Sequence, residues 1–342
     1  MAISKSQTLV YVGKRCIHSI FVLLALSFLI FAFLRAIPGD PVMTMLGEGS
    51  EVSVEEYESI RRDLGLDRPL VVQYAYWLGR IAQGEFGTSI HTKEAVLPDV
   101  LTKLKTTLEL ALTAVFIGSI FGMIAGTVSA VKRNSIFDHL AMVTALIGIS
   151  VPVFWMGILL IIFFGVELNW LPISGLASHD TELTPILGFP LIDSILSGNW
   201  TAAGDIIRHM ILPAITLAVV PAAITARTTR ASMLEVINED YINAGLARGL
   251  TFMQVLRRHA LRNALIPVVT VIGLQIGIYL GGSIVTETVF SWPGLGRLVV
   301  DAIYNRDYPV VQGAIFIYAI MIVVVNLLVD ILYAYIDPRV EP

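Results

Sequence analysis

The chain has 342 residues, 56% of them hydrophobic and only 15% charged, whereas a soluble domain carries about 25% charged residues; an ordinary soluble enzyme is excluded. The formal net charge of -4 gives no basic footprint for nucleic acid, and a single cysteine, Cys16, excludes an internal disulfide or a cysteine-built metal site. The mean hydropathy of +0.77 points to an all-α polytopic membrane protein, with apolar residues enough for about six spans of about 20 residues each.

The first apolar run, 16–34, follows Lys5, Lys14 and Arg15. It is too long for the apolar core of a signal peptide and has no small-residue cleavage site ahead of Arg35, so it reads as an uncleaved first helix. The segment 36–106 is acidic and amphipathic (Glu51, Glu55, Glu56 and Glu58, then Tyr74, Trp77, Leu78 and Ile81). It reads as an exported subdomain with a surface helix over 54–64, opened by Ser53 with Glu56 three residues on. Further spans are predicted at 107–131, 139–165, 210–226, 264–289 and 310–335, making six, with Pro152 kinking the third. Residues 166–209, rich in Gly, Pro, Ser and Asp, form an outer loop with short helices. The resulting division is a cytoplasmic start and first helix (1–35), the exported segment (36–106), a five-helix core (107–335) with an inner loop at 227–263, and a cytoplasmic tail (336–342).

Orientation follows from counting basic residues. With both termini inside, the inner segments hold Lys132, Arg133, Arg227, Arg230, Arg248, Arg257, Arg258, Arg262 and Arg339 besides the three basic residues ahead of the first span. The short outer segments hold only Arg208, Arg297 and Arg306. Excess Lys and Arg mark the cytoplasmic side.

Within the spans, Gly118, Gly122 and Gly126, and again Gly273, Gly277 and Gly281, recur every four residues. Such small-residue faces pack helices in lipid. Gln275 and Tyr279 point away from the second of these faces and, with Ser150 and Trp155, are the candidates to line a polar pathway. No acid sits at a span centre, which argues against proton coupling; Asp330 reads as structural, and Glu109 and Glu287 read as interface residues.

The longest inner segment, 227–259, should be a slack linker and is not. Met233, Leu234, Val236, Ile237, Tyr241, Ile242 and Leu246 recur at helical spacing with no break until Gly249, predicting two short amphipathic helices that meet there. On periodicity alone, such an element either lies among lipid headgroups or is gripped by a partner.

This segment resembles the conserved inner loop of permease subunits of binding-protein-dependent ABC importers. That loop's pattern (Glu-Ala-Ala, three residues, Gly, nine residues, Ile-x-Leu-Pro) aligns as Asn243, Ala244, Gly245, then Gly249, then His259 to Arg262, with the acid, the second alanine and the proline replaced. The rest of the chain is similar to the B-type permeases of dipeptide and oligopeptide importers. The resemblance is carried by Ile37-Pro38-Gly39-Asp40-Pro41, Leu64-Gly65-Leu66-Asp67, Phe86-Gly87, Ser150-Val151-Pro152-Val153-Phe154-Trp155 and Leu171-Pro172-Ile173-Ser174-Gly175. It continues through His209-Met210-Ile211-Leu212-Pro213, Phe290-Ser291-Trp292-Pro293-Gly294-Leu295-Gly296-Arg297, Arg306-Asp307-Tyr308-Pro309 and Asp337-Pro338-Arg339.

The resemblance implies a six-span type I importer permease of the bacterial inner membrane, whose inner loop seats as a coupling helix in a separate ATPase. Carried over by position, the docking residues are Glu235, Glu239, Asp240, Tyr241, Ala244, Gly245, Arg248 and Gly249, flanked by Arg257, Arg258 and His259. It implies a second, C-type permease, two ATPases that bind ATP and Mg, a periplasmic peptide-binding protein that meets 36–106 and the Ser291 to Arg297 loop, and membrane lipid around the spans. No cofactor or metal is expected in this chain. It has no Gly-x-x-x-x-Gly-Lys-Ser/Thr phosphate loop, no nucleophile elbow and no histidine pair at metal-ligand spacing. The substrate implied is a dipeptide or short peptide; nickel chelates, opines and antimicrobial peptides are the alternatives within the class. An ion-coupled secondary transporter is the rival from outside it, and lacks its intramembrane ion site and repeated halves here.

Overall fold

The structure is a computed structural model and describes residues 5–36, 53–63, 67–280 and 284–336. The motifs at 37–41, 64–66 and 337–339, Gly281 and the tail after 336 lie outside the described residues, as does the side chain of Asp330. The helices are α1 (Lys5–Ala36), α2 (Val54–Asp63), α3 (Leu70–Ala82), α4 (Val96–Val131), α5 (Ile136–Ser150), α6 (Val153–Leu160) and α7 (Pro190–Leu196). They continue with α8 (Trp200–Ile237), α9 (Asp240–Ala247), α10 (Phe252–Val255), α11 (Leu261–Leu280), α12 (Ile284–Val289), α13 (Leu295–Tyr304) and α14 (Tyr308–Ile336). A helical architecture is what lipid demands of such apolar segments, since each backbone N–H must find its carbonyl within the same segment. Among the described residues four helices are long and apolar enough to cross a membrane, or five if a bent pair counts as one; the apolar stretch of α1, Ile17–Phe33, is shorter. The full set of six spans therefore remains an expectation.

The bent pair is α5 and α6, which meet at 107°. The sequence predicted a kink in a continuous helix, and the break is far sharper. The residue before a proline is driven out of the helical region; Val151 is extended (φ -82, ψ 129), and Pro152 opens a new helix instead of interrupting one. A π-helical segment, Ile161–Glu167, continues α6. Two other helices outrun their predicted spans: α4 begins at Val96, and α8 runs from Trp200 to Ile237 with Pro213 and Pro221 inside it.

The chain divides into two compact units. One comprises residues 1–104 and 297–342, so that the last helix shares a unit with the first. There α1 packs along α14, and α3 lies against α1 through rings: Tyr74 on Phe28 and Phe31, and Trp77 on Phe31 and on Phe316 of α14. The Tyr74 hydroxyl bonds Ser27 at 2.7 Å. Asp307, buried ahead of α14, accepts from the N–H of Val310 in that helix's first turn and from Ser89 Oγ and the N–H groups of Ile90 and His91. One carboxylate thus starts the last helix and pins the loop after α3.

The other unit is residues 105–296, built around α8. Leu110 and Ala114 of α4 pack with Ile206, Met210, Ala214, Leu217 and Ala218 of α8 and with Trp292. Gly118, Gly122 and Gly126 are where α4 touches α8: a Cβ at Gly118 would lie 2.7 Å from the Ala218 carbonyl oxygen, and the other two are as tight or tighter at Ala222 and Ala226. The stripe packs helices by close backbone approach, as the spacing indicated.

Candidate functional site

The inner segment is a folded foot. Helix α8 continues past its apolar part to Ile237 and stops at Asn238, whose Nδ2 donates to the Leu234 carbonyl at 2.7 Å. The sequence placed no break before Gly249; the break here comes because Glu239, at the N-cap position of α9, is extended (φ -72, ψ 147), with Asp240 in the first turn where a negative charge complements the helix N-terminus. The far end of α9 closes as a Schellman motif: Leu250 N–H bonds Gly245 O at 3.3 Å and Gly249 N–H bonds Leu246 O at 2.9 Å, with Gly249 left-handed at φ +87. Nothing lies within 4 Å of a Cβ at Gly249, so conformation and not space requires glycine there. Thr251 then opens α10 through a capping box with Gln254, and a π-helical turn, Leu256–Ala260, leads into α11.

This foot has its own core of Ala130, Met233, Ile242, Val255, Leu256, Ala260 and Ala264. Of the residues carried over as docking positions, Glu235, Glu239, Asp240, Tyr241, Ala244, Arg248, Gly249, Arg257, Arg258 and His259 are exposed. Gly245 is buried, with Val255 3.3 Å from where its Cβ would be, and so lets α9 lie on α10. The Tyr241 hydroxyl accepts from Asn263 Nδ2 at 2.8 Å, tying α9 to α11. Leu246, Phe252 and Met253 are exposed beside the charged positions, giving the foot an apolar strip. Phe252 and Met253 were not singled out in the sequence, although the Thr251 and Gln254 pair marks the helix that presents them.

Above the foot sits a contact the sequence did not reveal. Arg230 of α8 grips Asp138 of α5 with two bonds, Nε to Oδ1 at 2.6 Å and Nη2 to Oδ2 at 2.8 Å, and the Asn134 N–H also donates to Oδ2. Asp138 is buried. A bidentate guanidinium–carboxylate pair fixes direction as well as distance, so the last turns of α8 are held to α5 where the foot begins. Ser135, capping α5 with Asp138 three residues on, was the only local signal; the partner lies 92 residues away.

The pathway candidates are scattered. Gln275 is buried and donates to Thr225 of α8 at 3.2 Å. Tyr279 packs partly buried against the α4–α8 core. The Ser150 hydroxyl donates to the Leu146 carbonyl, and Trp155 is exposed. At the opposite end from the foot of the stretch of α4 in this unit, Glu109 and Glu287 are buried, unlike the interface residues expected. Glu109 accepts from the N–H groups of Leu191 and Ile192 in the first turn of α7. Glu287 accepts from Thr107 Oγ1 at 2.7 Å, and that oxygen accepts from the Leu295 N–H at 2.8 Å, while Trp292 Nε1 donates to the Thr106 carbonyl. The Phe290 to Gly296 motif is thereby stitched to the start of this part of α4. Asp193 accepts from the N–H groups of Ile186, Leu187 and Gly188. Burial pushes its pKa up, but these backbone donors outweigh it and hold the carboxyl below the usual aspartate value.

The arrangement offers a partly charged and partly apolar projection at the end of α8. The description "Binding-protein-dependent transport system inner membrane component" matches residues 118–342, and its N-terminal counterpart matches residues 8–111. The chain is 48% identical over 315 residues to the di/tripeptide transport system permease protein DppB of Pseudomonas aeruginosa, covering 92% of this chain and 94% of that protein. It is 47% identical over 321 residues to the dipeptide transport system permease protein DppB of Escherichia coli K12, with 93% and 94% covered. A chain of the MetNI methionine ABC transporter, solved in inward-facing conformations, shares the fold at TM-score 0.51 and 19% identity, over 70% of this chain and 96% of that one. This protein therefore belongs to the family of inner-membrane permease components of binding-protein-dependent ABC transport systems.

Proposed function

We propose that the chain is a translocation subunit of an ATP-driven importer of dipeptides or short peptides, set in the bacterial inner membrane with both termini in the cytoplasm. The observation that carries this is the foot: a Schellman-closed helix on its own small core, with acids, arginines and an apolar strip turned outward. A segment that only had to lie among headgroups would not need the far end of α9 closed by a Schellman motif and the next helix opened by a capping box. In this reading a partner ATPase grips Glu235 to Gly249 and the Arg257 to His259 turn, and closure of two ATPases reaches the spans as a rigid-body push along α8. ATP and Mg are bound by those partners, and a second permease completes the path. The basic-residue count supports the orientation, and the names of relatives at 47–48% identity support the substrate class.

The test is uptake of a labelled dipeptide by proteoliposomes holding this chain, the second permease, both ATPases and the binding protein. Uptake and vanadate-sensitive ATP turnover are expected only from the complete set. ATP turnover by this chain alone would contradict the assignment, and failure of dipeptides to displace ligand from the binding protein would remove the peptide substrate.

A further inference from the structure

In the unit formed by residues 1–104 and 297–342, a cavity of about 230 Å³ opens between the end of α1, helix α3, the loop after it and the start of α14. It is smaller than the pockets of about 300–1,000 Å³ that enclose a whole drug-sized ligand. Its walls carry Arg35, Arg80, Glu85, Trp77, Tyr308 and Gln312.

Two groups on that wall lack what they need. Arg35 is partly buried, stacks its guanidinium 4.7 Å from the centre of the Phe31 ring and commits Nε to Gln73 Oε1 at 3.1 Å. No described carboxylate pairs with it, whereas Arg80 already has Glu85 at 3.2 Å. A cation withdrawn from water without an anion is costly. Gln312 is only 8% exposed, and its Nε2, a donor, has no acceptor. A buried amide N–H left unpaired costs about 1–3 kcal/mol. The cavity therefore holds one unbalanced positive charge and an orphan donor, and the complement is an anion with several acceptor oxygens.

The surroundings identify where that anion comes from. Phe33, two residues before Arg35, is exposed, as are Phe21, Phe28 and Leu29 on α1 and Leu70, Val71, Val72 and Tyr76 on α3. Apolar side chains facing outward up to Phe33, followed at once by Arg35 and by the aromatic rings of Tyr76, Trp77 and Tyr308, mark the depth of lipid headgroups. We propose that this cavity seats the phosphate of an anionic phospholipid, held by the free guanidinium nitrogens of Arg35 and by Gln312 Nε2, with the acyl chains running down the exposed faces of α1 and α3. The inference needs only that α1 lies in a membrane; it is independent of what the protein transports.

Native mass spectrometry of the purified complex, with phosphatidylglycerol or phosphatidylcholine added in detergent, tests it. The intact protein should retain one phosphatidylglycerol at least tenfold more tightly than phosphatidylcholine. R35Q should abolish that preference, R35K should keep part of it, and Q312L, which removes the donor at nearly constant shape, should weaken it several-fold in protein that retains its melting temperature. Equal binding of the two lipids, or undiminished preference in both R35Q and Q312L, would overturn the proposal. Displacement of the lipid by millimolar inorganic phosphate would overturn the lipid assignment and leave a site for a free anion.

Discussion

The two ends of the stretch of α4 that belongs to the second unit, 105–131, are held by different means. At the foot, order comes from the backbone itself: a left-handed glycine, a capping box and a small apolar core, all within residues 233–264 apart from Ala130. At the other end, order comes from buried carboxylates reaching across the chain, Glu287 to Thr107 and Glu109 to α7. The first design leaves Asp240, Ala244 and Leu246 of α9 turned outward. The second spends its polar groups inward and makes a stable seat for the loops.

The sharpest way to break this comparison is to attack the one place where the foot depends on a distant charge. Arg230→Met leaves Asp138 buried without its cation, and should lower stability by about 3–5 kcal/mol, read as a fall in melting temperature of the detergent-solubilised protein. Replacing both residues by apolar ones of similar size should recover most of it. Gly122→Val drives a side chain into the α8 backbone at Ala222 and should cost about 1–3 kcal/mol by overpacking. Gly249→Ala should cost about 1–2 kcal/mol, because a Cβ is strained in the left-handed region, with uptake falling more than stability. Gly249→Asn should be milder, since Asn tolerates that conformation. Asp193→Asn should have the smallest effect of the series, a loss of stability present at neutral pH that disappears on acidification. The depressed folded pKa means that the ionised carboxylate stabilises the fold above the ordinary aspartate value, near pH 4, and that this contribution fades as pH falls through the lower folded value. The variant should lose stability at neutral pH and show a shallower further loss on acidification; an unchanged slope in a melting series from pH 6 down to about 3 would show that this carboxylate is not held by its backbone donors.

The contrast also explains what could be read beforehand. The apolar runs, the Gly118 to Gly126 stripe and the turn at Gly249 were legible because each is a local pattern with one physical reading. The break at Asn238 was not, because Ile237 and Tyr241, four residues apart, keep helical spacing across it, and Met233 and Ile242 on either side end in the same core. Pro152 was underread as a kink, since sequence alone does not say whether the segment after a proline resumes its direction. Asp138 with Arg230, and Thr107 with Glu287, join residues 92 and 180 positions apart, and nothing local marks such partners. The buried setting of Gln275 belongs to the same class.

On the function proposed above, an ATPase holds the outward face of α9. A Cys16→Ser background with a single cysteine at Ala244 removes every competing thiol from this chain. Bifunctional cross-linking in membranes that contain the whole transporter should join that cysteine to an ATPase subunit, in a yield that changes with ATP and vanadate. Exclusive labelling of the same cysteine by a lipid-borne reagent, with no ATPase adduct in any nucleotide state, would contradict it.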